Sequence, residues 1–268
     1  MRFNVGSLST AKDGSRTNED TVLVWEEAGL FGVFDGIGGG GDGDVASSVA
    51  AQAVTSFYAR ESGEVAADSS QADGLARQAL VEAGRALARR AAQAPSVSAE
   101  MGTTATIGCV HHEEDGFGLT YAHVGDSGLL VYRRDQDHLT FLTEDEAQEN
   151  VLDNALTARE EVLHGVRQYA RVTLQPGDRL VFFTDGISGD TPDQRLSRAE
   201  YRQAIVGVSP QQAARALSET SRKSDDTSVV VVDPLVDEAN RKQEVRSKRE
   251  TGSRQQTVDS RQGTGNRE

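Results

Sequence analysis

The stretch LFGVFDGIGGGG, residues 30–41, is a short apolar run that stops at a carboxylate and gives way to glycine. Leu30, Phe31, Val33 and Phe34 read as a buried strand that delivers Asp35 to a loop. A hard divalent cation takes oxygen ligands at such a strand end, and the glycines after it let backbone carbonyls and waters come close. An ordinary strand and turn, with Asp35 as the turn residue, explains this one stretch equally well.

Four carboxylates share that context. Asp20 stands just before the apolar TVLVW; Asp35 and Asp185 follow apolar runs and each precedes a glycine; Asp225 stands just before SVVVV. A fifth, Asp126, sits in the tight turn VGDSG between two strand-like runs. In packed sheets these ends can converge at one rim, which would give oxygen-only ligation for one or two Mg²⁺ or Mn²⁺ ions. Two such ions could activate a bridging water and clamp a phosphoryl oxygen.

Around these acids the period of the sequence changes twice. Phe3 to Leu8 reads as an edge strand. Val45, Val49, Ala53 and Phe57 recur every four residues behind a cap at Asp42 or Asp44, and Leu75, Ala79, Leu80, Ala83 and Leu87 mark a second helix with Arg85, Arg89 and Arg90 toward its end. Residues 61–73 between them are small and polar and read as a loop. TTATIGCVHH, FGLTYAHV, GLLVYRR and HLTFLT then predict an antiparallel meander, and residues 145–165 look more helical. VRQYARVTL and RLVFFTD are strands around the turn QPGD. Residues 197–206 and 209–222 read as helices, the second with Ser209 as cap and Pro210 at its first position.

The chain has 268 residues and a formal charge of −14. Length predicts one large domain, or one domain and a tail. Residues 234–268 carry almost no apolar side chains, and their eight basic and six acidic groups leave −16 on residues 1–233. The expected division is therefore a domain over 1–233 and a disordered tail over 234–268. Excess acid argues against binding nucleic acid or an anionic membrane. One cysteine, Cys109, no apolar run near ~18 residues and no signal-peptide core predict a soluble cytoplasmic chain.

In order, GSRTNED, FDGIGGGGDGDVAS, GTTAT, AHVGDSG, LTEDEA, GDRLVFFTDGISGD and SDDTSVVVV resemble the motif set of the metal-dependent serine/threonine protein phosphatases, the PP2C or PPM family. The resemblance runs from about Arg16 to Val232. It implies an α+β fold, a four-layer α-β-β-α sandwich with two central antiparallel sheets and a two-metal site at one end. It further implies that Asp35 bridges two Mg²⁺ or Mn²⁺ ions, that Gly36 offers its carbonyl, that Asp20, Asp185 and Asp225 complete the ligands, and that Asp126 helps hold a third, weaker ion. Gly102, Thr103 and Thr104 would be packing residues. The implied activity is hydrolysis of phosphoserine and phosphothreonine in proteins phosphorylated by a serine/threonine kinase, by a monomeric enzyme.

The chain departs from that pattern in places. Where the family has a phosphate-binding arginine five positions before the first metal aspartate, Ser15 stands, and Arg16 is the candidate one residue later. Many members have a histidine, proposed as the general acid, where this chain has Ile37. Gly128, Glu146 and Gly189 replace an arginine, a histidine and an acid, with Asp190 one position beyond, and residues 146–177 lack a clear match to the family's flap segment. Other phosphatase chemistries fit less well: the residue six after Cys109 is Asp115 rather than arginine, and His111, His112, His123, His138 and His164 show no ligand spacing and read as ordinary surface or strand residues. Two further readings stand beside the enzyme. One is a catalytically weak domain that binds phosphoproteins or partners through the same fold; the other is an acidic calcium-binding module.

Overall fold

The computed structural model describes residues 1–12, 17–37, 42–65, 72–93, 101–113, 116–148, 151–152, 154–158 and 165–235. Two five-stranded antiparallel sheets form its centre. One contains β1 (Arg2–Thr10), β8 (Gly128–Arg133), β9 (His138–Phe141), β14 (Arg179–Phe183) and β15 (Thr227–Leu235), in the order β1-β15-β14-β8-β9. The other contains β2 (Thr21–Trp25), β3 (Leu30–Phe34), β6 (Ala105–Glu113), β7 (Gly116–Val124) and β13 (Gln168–Leu174), in the order β13-β7-β6-β3-β2. The short β4 (Gly36–Ile37), β5 (Gly102–Thr103) and β12 (Leu156–Thr157) pair at the end of this second sheet, in the order β12-β5-β4.

The central strands are apolar throughout because both of their faces are covered. In β3, Phe31 and Val33 face the space between the sheets while Leu30 and Phe34 join the core beneath helices α1 (Gly43–Val65) and α2 (Ala72–Gln93). In β14 and β15, Leu180, Phe182, Val230 and Val232 point inward between the sheets. Val181, Phe183, Val229 and Val231 point outward to α4 (Arg198–Ile205) and α5 (Pro210–Thr220). The period of two thus fills three apolar layers, each enclosed Leu or Phe contributing about 1.5–3 kcal/mol relative to exposure. The result is the expected sandwich, helix on sheet on sheet on helix. Both α4 and α5 begin with reciprocal caps, Ser197 with Glu200 and Ser209 with Gln212, and Pro210 occupies the first turn of α5.

Three sequence readings need correction. The meander is two hairpins in different sheets: β6 pairs with β7 and β8 with β9, while the turn at Asp126 carries the chain from one sheet to the other. Residues 145–165 form no helix among the described residues. They contribute β10 (Ala147–Gln148), β11 (Val151–Leu152) and β12, with Leu156 buried against the helical core instead of lying on a helix face. The loop expected at 61–73 is shorter, since α1 continues to Val65 and α2 begins at Ala72. At the other end β15 runs to Leu235, and the rest of the expected tail lies outside the described residues.

Candidate functional site

The acids singled out in the sequence are carried to one end of the sandwich by different strands. Asp20 precedes β2, Asp35 lies between β3 and β4, Asp126 lies in the β7–β8 turn, Asp185 opens the helical turn α3 (Asp185–Ser188) after β14, and Asp225 precedes β15. The two Asp-Gly pairs have a steric reason. A Cβ on Gly36 would stand 2.4 Å from the carbonyl oxygen of Glu19, and one on Gly186 would stand 1.8 Å from that of Asp226. Each glycine therefore lets a neighbouring acid-bearing segment cross close behind the aspartate, bringing Asp35 beside Asp20 and Asp185 beside Asp225.

Asp35 is fixed through its backbone. Its N–H donates to Thr104 Oγ1 at 3.1 Å, and its carbonyl accepts from Thr103 Oγ1 at 2.8 Å and from the Thr104 N–H at 2.9 Å. Thr103 and Thr104 are thus positioning residues. Burial pushes the Asp35 carboxyl well above the usual carboxylate range, and the charges of Asp20, Asp185 and Asp126 push it further. Burial likewise pushes Asp20 up to about 7, against donors on Ser228 and Thr184, and Asp126 up to about 7, with Asp185 and Asp145 adding to it. Asp20 Oδ2 accepts from Thr184 Oγ1 at 2.9 Å. Asp226, which neighbours Asp225, accepts from the N–H groups of Lys12 at 2.8 Å and Glu19 at 2.7 Å, so it clamps both flanks of the segment that holds Arg16. Arg16 itself lies outside the described residues. The Gly36 N–H donates to the carbonyl of Glu19 at 3.1 Å, and its own carbonyl lies where a Cβ on Gly43 would stand 2.8 Å away, at the start of α1.

The turn bearing Asp126 has an anchor that sequence reasoning missed. His123, read there as an ordinary residue, is fully buried. Its Nε2 lies 2.9 Å from the carbonyl oxygen of Gly125, which can only accept, so the proton sits on Nε2. Nδ1 then accepts from Thr106 Oγ1 at 2.8 Å, and Thr106 in turn accepts from Ser127 Oγ at 2.7 Å. Burial pushes this imidazole down to about 4. Glu146 closes the turn from the other side, its carboxylate accepting from the Gly125 N–H at 3.1 Å.

Lys223, after α5, is the second residue missed. Its side chain is only 13% exposed, and Nζ lies 3.0 Å from Asp190 Oδ2, 3.0 Å from Asp225 Oδ2 and in closer contact with Asp185 Oδ2. Burial lowers its pKa, but Asp185 and its neighbours more than offset this and hold the ammonium charged. A lysine two positions before an acid pair was the only signal available in the sequence. A cavity of about 420 Å³ opens beside it, lined among others by Asp126, Asp145, Asp185, Asp190 and Arg195. A smaller one of about 180 Å³ shares Asp126, Asp145 and Arg195 but has an apolar floor of Phe141, Phe183, Leu196 and Tyr201.

Among the described residues, no three carboxylate, imidazole or thiolate side chains already stand in an arrangement that would hold a metal ion. The donor chemistry nevertheless fits a hard divalent cation. The gathered donors are carboxylate oxygens, and Asp20 Oδ1 and Asp185 Oδ1 are buried acceptors with no hydrogen-bond partner among the described residues.

Comparison with known proteins agrees with this arrangement of motifs and layers. A "Putative protein phosphatase 2C 24" of Oryza sativa subsp. japonica is 30% identical over 199 residues, which cover 74% of this chain and 58% of that protein. The chain thus spans little more than half the length of that relative. Solved structures share the fold, and three of them illustrate it. The catalytic domain of the serine/threonine phosphatase PstP, in complex with two manganese ions, has a TM-score of 0.69 and 23% identity, covering 86% of this chain and 97% of its own. PppA of Pseudomonas aeruginosa has a TM-score of 0.69 and 22% identity, covering 88% and 99%. The PPM phosphatase MsPP of Mycobacterium smegmatis, in complex with cacodylate, has a TM-score of 0.66 and 24% identity, covering 86% and 98%. Residues 9–222 match the family described as Protein phosphatase 2C, and the chain belongs to that family.

Proposed function

We propose that this chain hydrolyses phosphoserine and phosphothreonine in proteins and depends on Mg²⁺ or Mn²⁺. The observation that carries this reading is the gathering of Asp20, Asp35, Asp126, Asp185 and Asp225 from separate strands at one end of the sandwich, with two buried carboxylate oxygens that have no hydrogen-bond partner among the described residues. Such a cluster of like charges is unfavourable in itself and calls for a cation. When bound, divalent ions would supply a polarised water as nucleophile and would neutralise the phosphoryl oxygens. The manganese ions in the PstP complex support the choice of metal.

Asp35, central to the cluster, would bridge two ions, with Asp20, the Gly36 carbonyl, Asp185 and Asp225 as further ligands and Asp126 on a third, weaker one. Arg16 would meet the phosphate as a bidentate donor. Ile37 has no proton to give, so a leaving group that departs unprotonated should react faster. Phosphorylated proteins would be the partners, and a monomer in the cytoplasm, engaging neither nucleic acid nor membrane, suits the acidic composition and the single cysteine. No helix among the described residues is long and apolar enough to cross a membrane.

The test is hydrolysis of an aryl phosphate and of a phosphothreonine peptide by the purified chain, with Mn²⁺ and with excess chelator. Mn²⁺-dependent turnover of both, faster for the aryl phosphate, is expected; turnover unaffected by chelator would overturn the reading. Lys223 among the acids and the apolar Ile37 favour a second reading, a phosphoprotein-binding domain with little turnover. It predicts binding of the phosphopeptide without hydrolysis.

A further inference from the structure

We propose that Lys223 is a tethered cation that holds the place of a divalent ion between Asp185 and Asp225, and that this ion binds only by displacing it. The inference rests on the metal-dependent reading above and adds a built-in competitor to it. An ammonium has three N–H donors, and Lys223 directs them at three separate carboxylates, those of Asp185, Asp190 and Asp225. None is left over for a phosphate. Two of these three acids are candidate ligands, so a metal ion and the ammonium call on the same oxygens. A doubly charged ion among them would also repel a lysine held so close.

The acids as they lie match this view. Asp185 turns Oδ2 to the ammonium while its Oδ1 stays buried with no hydrogen-bond partner among the described residues, and Asp20 Oδ1 is in the same condition. One positive charge therefore satisfies the outer half of the cluster and leaves the inner half short of a partner. The side chain is tethered by a segment that follows α5 directly, and the cavity beside it gives the ammonium somewhere to go when it is displaced.

The consequence is weakened and switchable loading: the ion shared by Asp185 and Asp225 should bind less tightly than those acids alone would allow. Calorimetric titration of the full chain with Mn²⁺ tests this. Lys223→Met is expected to bind at least one ion about tenfold or more tightly than wild type, whereas Lys223→Arg, which keeps the charge, should stay near wild type. Lysine reactivity in the unaltered chain, read by mass spectrometry after brief acetylation, gives a second measurement that needs no variant. Lys223 should be protected without metal and become reactive once Mg²⁺ is added. Equal ion number and affinity in wild type and Lys223→Met, or a Lys223 that stays protected after the full complement of ions has bound, would overturn the proposal and leave the metal-dependent reading intact. Absence of Mn²⁺ binding by both proteins would overturn the two together.

Discussion

His123 shows how one side chain ties pH to stability. Its folded pKa of about 4 lies below the ordinary value of 6.5, so the unfolded chain takes up a proton that the folded chain refuses as pH falls between the two. Stability attributable to His123 is complete above about pH 6.5 and declines toward pH 4, by about 2–3 kcal/mol at pH 4.5. Asp20 and Asp126, raised to about 7, act in the opposite sense in metal-free protein, since they favour the folded state as they become protonated. Comparing urea unfolding of wild type and His123→Gln at pH 7 and 4.5 cancels those acids. The variant should lack the acid-side loss. At Asp35, substitution by Asn should leave the metal-free melting temperature no lower, because an amide cannot take on the charge that burial and the neighbouring acids disfavour. Turnover with Mn²⁺ should fall by more than the ~10–100-fold typical of an outer-shell change, since an amide cannot bridge two cations; near-wild-type turnover of purified Asp35→Asn would refute the role given to it. The acids are legible in the sequence because each interrupts or precedes an apolar run. His123 and Lys223 are not, because the packing that buries the imidazole and the reach of the ammonium to Asp185 and Asp190 leave no pattern in the local sequence.

At the scale of elements, the strands and helices are readable from their periods, but their assignment to sheets is not. A period of two identifies β7 and β8 as strands without stating that the turn at Asp126 moves the chain to the facing sheet, because both strands are apolar on both faces. The stretch 145–165 misleads for a related reason: its pieces are two residues long, too short for any period, and β12 is held by pairing with β5. A close crossing at one glycine and open space at another make opposite predictions for the two. Gly186→Ala places a methyl 1.8 Å from the carbonyl oxygen of Asp226 and should destabilise the fold by about 1–3 kcal/mol while parting Asp185 from Asp225. Gly84, inside α2, has open space around its Cβ position, so Gly84→Ala should stabilise by about 0.5–1 kcal/mol. Melting temperatures and Mn²⁺ titrations of the two variants check both signs. A Gly186→Ala protein as stable as wild type would show that the two segments can separate freely.

For the whole molecule, composition makes one prediction about residues that lie beyond β15. Deleting residues 236–268 should leave the melting temperature and the turnover of small phosphates unchanged, since this segment has few apolar side chains to bury. A large loss of either would show that it packs on the domain. The fold also joins distant parts of the chain. β1 is an edge strand whose sheet partner is β15, and Asp226 grips the backbone of Lys12 across 214 residues of sequence. At ~5–20 residues per second of synthesis, β1 waits roughly ten to forty seconds for its partner to be made. Through that interval the acids of the N-terminal segment have been translated but cannot be assembled into a site. Asp20 and Asp35 are thus without Asp185 and Asp225 as neighbours until the ribosome has passed Asp226, and a chain that stops before Asp185 holds most of the first sheet and only part of the set of acids.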